Sequence, residues 1–180
     1  LMPDAFYQFF KLMGTTSAKE LNLVRLDPAY QTRNEGKNDK LMIVEDLAKN
    51  KELFESIEPG SGKKLQEYLD SSKDTYELSI KHFLYTNFQN ISNFTNKEVL
   101  SRAVTFAKHL VTSLYDFSGK YVKDERLKKI LNFPAVLLGA SPYDTPSMYH
   151  LMTHVYLNVG VYYPMGGLYS VIEAIERVAK

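Results

Sequence analysis

The sequence predicts a helix-rich α+β domain, with a small antiparallel sheet near the N-terminus and an additional strand before the last helix. Three features carry that expectation. Apolar residues recur at helical spacing over most of the chain. Between residues 21 and 44 the pattern shortens to runs punctuated by turn residues. A second strand-like run, 159–163, precedes a final amphipathic stretch.

Taken in order, residues 3–13 read as a helix, because Phe6, Phe9, Phe10 and Met13 share a face and Gly14 ends it. Residues 21–26, 29–34 and 40–44 read as three strands of a meander. The turns between them hold Asp27-Pro28 and Glu35-Gly36-Lys37-Asn38-Asp39. Asp46 caps a helix carrying Leu47, Leu53, Phe54 and Ile57, which Pro59-Gly60 breaks. A long helix over 61–85 follows, striped by Leu65, Tyr68, Leu69, Tyr76, Ile80, Phe83 and Leu84. Thr95 and Glu98 form a capping box for a helix that buries Val99, Leu100, Ala103, Val104, Ala107, Leu110 and Val111. Asp124 caps a short helix with Leu127, Ile130 and Leu131. After the loop at 139–146, Thr145 caps and Pro146 opens a helix over 147–157. Pro164-Met165-Gly166-Gly167 then interrupts the strand, and a last helix buries Leu168, Val171, Ile172, Ile175, Val178 and Ala179 on one face.

Composition narrows the chemistry. Lys plus Arg number 22 and Asp plus Glu 21, which gives none of the basic excess that a nucleic-acid binder needs. The absence of cysteine removes disulfides, thiol catalysis and cysteine-bound metal. Tyr 13 and Phe 10 against Trp 0 leave many amphipathic rings to place in a core, a lipophilic pocket or a partner surface. No apolar window reaches the roughly 18 residues of a membrane span. Leu1-Met2-Pro3-Asp4 has no signal-peptide pattern, so the expected location is the cytoplasm, and the sequons at Asn90 and Asn93 read as chance.

Tests for common active sites fail. Gly60-Ser61-Gly62-Lys63-Lys64 lacks a third glycine and follows Pro59 rather than a strand, so it reads as a helix start, not a phosphate cradle. His150 and His154 have metal-ligand spacing but no intervening glutamate, and no metal is expected. Ser141 sits before Pro142 and Tyr143, which is not a nucleophile elbow. No carboxylate pair stands out, and the catalytic residues stay unassigned. On residue chemistry alone the chain has no self-contained active site.

Two longer motifs do carry information. Phe133-Pro134-Ala135-Val136-Leu137-Leu138-Gly139-Ala140-Ser141-Pro142-Tyr143-Asp144-Thr145-Pro146-Ser147-Met148-Tyr149 is followed by Gly160-Val161-Tyr162-Tyr163-Pro164-Met165-Gly166-Gly167-Leu168-Tyr169-Ser170-Val171-Ile172-Glu173-Ala174. With Leu23-Val24-Arg25-Leu26-Asp27-Pro28-Ala29-Tyr30 and Ile57-Glu58-Pro59-Gly60, in that order, the chain resembles the phytoene desaturase family of FAD-dependent carotenoid desaturases. The resemblance implies that residues 1–180 are the central, substrate-side fragment of a longer flavoprotein, inactive alone because both main FAD-binding segments are absent. It implies an isoprenoid polyene substrate, FAD as cofactor, and the remaining FAD-binding domain of the same chain as partner. Family members often carry Lys where this chain has Met165.

Under that resemblance Tyr143, Tyr149, His154, Tyr162 and Tyr163 are the expected substrate contacts. Gly166 and Gly167 are expected near the flavin, at the start of the last helix. Tyrosine faces suit transient positive charge on a polyene, at about 1–2 kcal/mol when desolvated. A lipid-soluble substrate also implies peripheral contact with a membrane, for which Phe6, Phe9 and Phe10 or the Tyr85-Thr86-Asn87-Phe88 region are candidates. Two alternatives remain at this point: another enzyme of the same flavoprotein superfamily, such as a polyene isomerase or a retinol-saturase-like protein, and a stand-alone helical module that binds a lipid or partner.

Overall fold

A computed structural model describes residues 3–34, 40–81 and 101–180. They fall into two compact units, one formed by 3–31, 42–45 and 155–180, the other by 32–34, 40–41, 46–81 and 101–154.

In the first unit, helix α1 (Pro3–Leu12) and the short α2 (Ser17–Glu20) precede strand β1 (Leu23–Arg25). Thr16 caps α2 by accepting from the Lys19 amide. β1 pairs antiparallel with β4 (Tyr162–Pro164), and α10 (Tyr169–Ala179) closes the unit. Phe10, Leu21 and Ala174 form its buried centre, with Phe6, Phe9, Leu23, Val171 and Val178 packed around them. Phe10 is thus a core residue, and Phe6 and Phe9 pack partly buried against it. The expected stripe on α10 is also corrected. Val171, Ala174 and Val178 face inward, whereas Leu168, Ile172 and Ile175 are exposed.

The meander is corrected as well. β2 (Tyr30–Arg33) pairs with β3 (Lys40–Ile43), but β1 takes β4 as its partner. Two small antiparallel ladders replace one sheet. Asp27 lies at the β1–β2 turn and accepts from the Glu45 amide.

In the helical unit, Asp46 caps α3 (Leu47–Ile57) by accepting from the Ala48 amide. Gly60, at φ 85°, turns the chain into α4 (Ser61–Ser79). The glycine-lysine motif at this turn is already filled: Glu55 accepts from the amides of Gly60 (2.7 Å) and Gly62 (3.0 Å). An internal carboxylate thus occupies the positive end of α4, where a phosphate would bind. These two bonds hold the Glu55 carboxyl below the usual carboxylate range.

α4 buries Leu65, Tyr68, Leu69 and Tyr76 as expected, and adds Ser72, Thr75 and Leu78. Against it pack α3 and α9 (Leu151–His154). Between them in sequence come α5 (Ala103–Val111), α6 (Leu114–Ser118), α7 (Glu125–Leu131) and α8 (Phe133–Leu137). Asp124 caps α7, and Leu127, Ile130 and Leu131 are buried, as expected. α5 departs from expectation: Val104, Leu110 and Val111 are exposed, because the inward face of this helix carries His109. Phe83, Leu84, the Tyr85-Phe88 region, both sequons, the Thr95–Glu98 box, Val99 and Leu100 lie outside the described residues.

The expected helix over 147–157 is wound three ways: a 3-10 turn at Ser147–His150, α-helix in α9, then a π turn at Val155–Val159. Thr145 does not cap it, since its hydroxyl donates to the Ser141 carbonyl (2.8 Å), and Pro146 stands just before the first helical residue. Ser141 is a turn device, its hydroxyl accepting from the Tyr143 amide.

Candidate functional site

In the first unit the site candidates lie along β4 and the turn behind it. The register pairs Leu23 with Pro164, Val24 with Tyr163 and Arg25 with Tyr162. Alternation along a strand sends Tyr162 and Tyr163 to opposite faces. Val24 and Tyr163 make an exposed apolar and aromatic pair on one face. On the other, half-buried Tyr162 stands opposite half-buried Arg25. The Arg25 guanidinium pairs with Glu45 and donates to the Asn158 carbonyl (3.5 Å). It passes over Gly160, where φ is 103° and any Cβ would stand 2.3 Å from Arg25 Nε. Glycine is needed there twice over, for the backbone conformation and for the space. Gly160 N–H closes the π turn by donating to the Val155 carbonyl (2.7 Å), and so sets where β4 begins.

Beyond Pro164 the chain turns through Gly166 (φ 95°) and Gly167 (φ 98°) into α10. Gly167 N–H donates to the Pro164 carbonyl, and the Ser170 hydroxyl returns to the Gly167 carbonyl (2.7 Å). The amides of Gly166, Leu168 and Tyr169 have no acceptor among the described residues. A Cβ on Gly167 would meet nothing within 4 Å, so the left-handed backbone, not crowding, calls for glycine. Open backbone with free amides at a helix start fits contact with an anionic or polar cofactor group. The neighbouring Met165 is exposed and brings no charge.

The other candidates belong to the helical unit. Tyr143 is exposed and leans on Tyr115, ring centroids 4.4 Å apart. Lys128 stands 4.5 Å from the Tyr115 ring centroid, and the Tyr115 hydroxyl donates to Glu125 (2.9 Å). Tyr149 is exposed on the 3-10 turn. His154 is half-buried against Tyr76 at 5.2 Å. Burial, and then the nearby Lys73, lower the His154 pKa. Thus Tyr162, Tyr163, Gly166 and Gly167 share one continuous segment, while Tyr143, Tyr149 and His154 sit in three separate local settings.

Sequence reasoning did not find the buried polar node of the helical unit. His150 is fully buried, and its Nδ1 donates to the Ser147 carbonyl (2.7 Å). Because a carbonyl only accepts, that bond assigns the proton to Nδ1 and leaves Nε2 to accept from the Ser71 hydroxyl (3.1 Å). His109 stacks on His150 at 4.8 Å and bonds Ser147 Oγ through Nδ1 (2.9 Å). Phe117 lies 4.7 Å from His150 and 5.0 Å from His109, and Tyr68 adds its edge at 5.6 Å from His150. Desolvation, reinforced by His109, pushes His150 down to about 4. His150 is neutral with both nitrogens bonded, and it holds α4 to the 3-10 turn. His109, a lone histidine in an apolar helical stripe, was the available signal. Among the described residues no group of three or more His, Asp or Glu could hold a metal.

No protein-family model matches the chain. Curated proteins do. The chain is 32% identical over 180 residues to the carotenoid 3,4-desaturase of Haloarcula japonica, covering all of this chain and 36% of that protein. It is 32% identical to the zeta-carotene-forming phytoene desaturase of Myxococcus xanthus, covering 34% of it. It is 26% identical over 181 residues to a 4,4'-diapophytoene desaturase of Staphylococcus aureus, covering 35%. Over its whole length the chain is homologous to the carotenoid desaturases. This desaturase homologue spans about a third of the length of the curated relatives it matches.

Proposed function

We propose that the chain is the substrate-side part of a longer FAD-dependent desaturase that removes hydrogen from an isoprenoid polyene. One observation carries the reading: every part of the chain aligns with proteins named as desaturases of carotenoids or their precursors. That uniformity favours desaturation over the isomerase and saturase alternatives. Full coverage of this chain against a third of each relative disfavours a stand-alone module.

Desaturation takes a hydride and a proton from adjacent carbons, and FAD accepts the hydride when bound. Gly166, Gly167 and the open amides at the start of α10 would hold part of the cofactor. The exposed Tyr163–Val24 face gives the hydrocarbon an apolar bed with no charge of its own. Tyr163 would offer its ring face to positive charge developing on the polyene, at about 1–2 kcal/mol when water is excluded, while Tyr162 faces the other side of β4, opposite Arg25. His150 takes no part in proton removal, since it is fully buried and both its nitrogens are bonded, to Ser147 and Ser71. Among the described residues no helix is long and apolar enough to cross a membrane. Collection of an insoluble substrate in the cytoplasm would therefore use contact with a membrane surface.

The full-length protein, given FAD and a C30 or C40 polyene, should show bound-flavin absorbance and form a product with a longer visible chromophore. Flavin binding without any new chromophore from either substrate class refutes the desaturase reading.

A further inference from the structure

The β1–β4 ladder has two faces of opposite character. Its one charged residue, Arg25, lies on the Tyr162 face, where Gly160 leaves room for it and Glu45 pairs with it. The Val24–Tyr163 face holds no charge. Residues 145–172, which include β4 and the turn behind it, contain no Asp, Glu, Lys or Arg.

Met165 extends the uncharged face by one step. Leu23 pairs with Pro164, and the Met165 amide donates to the Asn22 carbonyl (2.8 Å), one residue further along. Side chains two residues apart on a strand share a face, so Met165 follows Tyr163. Val24 and Tyr163 are each 41% exposed, and Met165 is 52% exposed. Gly167 N–H then closes the turn on the Pro164 carbonyl (3.1 Å), with Gly166 at φ 95° in the place where a type II turn needs a positive φ. The Met165 backbone is thereby fixed while its side chain stays open. It stands between the apolar bed and the open amides of Gly166, Leu168 and Tyr169.

The residue type at that point decides what can lie over it. A thioether is unbranched, polarizable and uncharged, so a hydrocarbon that covers it gains contact and strips no charge of its water. A cation in the same place has to be desolvated before hydrocarbon reaches the turn. A thioether is also only a weak acceptor, and it repays little of the water that a hydroxyl gives up on being laid against it.

We propose that Met165 is a specificity-determining residue, which carries the hydrocarbon bed up to the cofactor turn and so selects polyenes with no polar group near the reacting carbons. Its purpose rests on the desaturase reading. Its preference for bare hydrocarbon is a matter of binding and is read without turnover.

The test uses the full-length flavoprotein, a C40 polyene hydrocarbon, and the same chain hydroxylated on both terminal isoprene units. Bound polyene is measured by its absorbance after rapid gel filtration from detergent, and the ratio of the two dissociation constants is the readout. Partition of the two chains into detergent is the same for every variant, so a change in the ratio belongs to the protein. The parent should hold the hydrocarbon about tenfold more tightly than the diol. Met165→Lys should weaken the hydrocarbon about tenfold and the diol less, which narrows the ratio, with flavin content and circular dichroism as in the parent. Met165→Leu should keep the ratio of the parent. Should Met165→Lys lose its flavin or its fold, Met165→Gln, uncharged and of similar length, carries the same test. A lysine or glutamine variant with the parent's ratio overturns the proposal, as does a parent that holds the diol as tightly as the hydrocarbon. So does a shifted flavin midpoint potential with both dissociation constants unchanged, which would give this position to the cofactor alone. Turnover separates the two readings. Product from the parent with an unchanged ratio in the variants leaves the desaturase reading standing and removes Met165 from it. Selection of the hydrocarbon that depends on Met165, with no product from either chain, refutes the desaturase reading and keeps the role of Met165.

Discussion

Acidification should unfasten the helical unit through His150. The imidazole is fully buried and neutral, donating from Nδ1 to the Ser147 carbonyl and accepting from Ser71. Its pKa falls from the ordinary 6.5 to about 4, chiefly because burial penalises the cation and secondarily because His109 stacks against it. Below pH 6.5 the unfolded chain binds a proton at this position that the folded chain does not. Stability therefore falls as the pH drops from 6.5 toward 4 and levels off once the folded state also protonates. Each unit is worth 1.36 kcal/mol at full slope, and with partial protonation at both ends the loss between pH 6.5 and 4.5 is about 2 kcal/mol. No discount for solvent applies, because the ring has no exposed surface. Carboxylates titrate in the same range, and His150→Gln provides the reference that keeps a polar side chain without the titration. Urea unfolding followed by far-ultraviolet circular dichroism at pH 7.5, 5.5 and 4.5 is the assay. The parent should lose roughly 2–3 kcal/mol more than His150→Gln over that interval. Equal losses in the two proteins, or a gain on acidification, would refute the buried neutral assignment.

Other substitutions probe the remaining joints. Gly160→Ala places a methyl 2.3 Å from Arg25 Nε on a backbone at φ 103°, and should lower stability by on the order of 2–3 kcal/mol. Adding Arg25→Ala should recover the steric share in a double-mutant cycle, and a strictly additive cycle would contradict the contact. Glu55→Ala removes the acceptor for the Gly60 and Gly62 amides, so the melting temperature should fall, with a smaller fall for Glu55→Gln. The Glu55 pKa is lowered in the fold, so this contribution is present above the ordinary carboxyl pKa and fades as the pH falls below it. Gly167→Ala strains a backbone at φ 98° next to the open amides of α10. In the full-length protein it should lower the melting temperature through that strain and weaken flavin retention on gel filtration at a temperature where the variant stays folded, and unaltered flavin content there would remove Gly167 from the cofactor site.

Much of this architecture was legible in local signals. Asp46 and Asp124 announce their helices because an aspartate before an apolar helical pattern has a specific backbone bond to make. Gly166 and Gly167 were picked out by position, and both adopt the left-handed backbone that only glycine takes readily. The pairing of β1 with β4 was not legible, because three residues of strand carry no register information and the partner lies more than a hundred residues away. α6 and α8 are single turns, too short for periodicity to show, although Ser113 before Asp116 marks the first of them. The inward face of α5 was misjudged because pattern reading ranks Val104 and Leu110 above His109. The fold buries the histidine, whose ring finds Ser147 and Phe117. Of the site, the β4–turn–α10 segment came from recognisable words, whereas the histidine node depends on contacts between α4, α5 and the 3-10 turn that no local pattern contains.

The central claim is that this chain belongs to an enzyme that passes a hydride from a polyene to flavin. The direct test is an anaerobic single turnover of the full-length flavoprotein with one equivalent of a C30 or C40 polyene, recorded by diode-array absorbance. The oxidised-flavin band should bleach while the longer product chromophore grows, one flavin reduced for each double bond introduced. A flavin that stays oxidised while the polyene is unchanged, or a chromophore that grows with no loss of oxidised flavin, would contradict it.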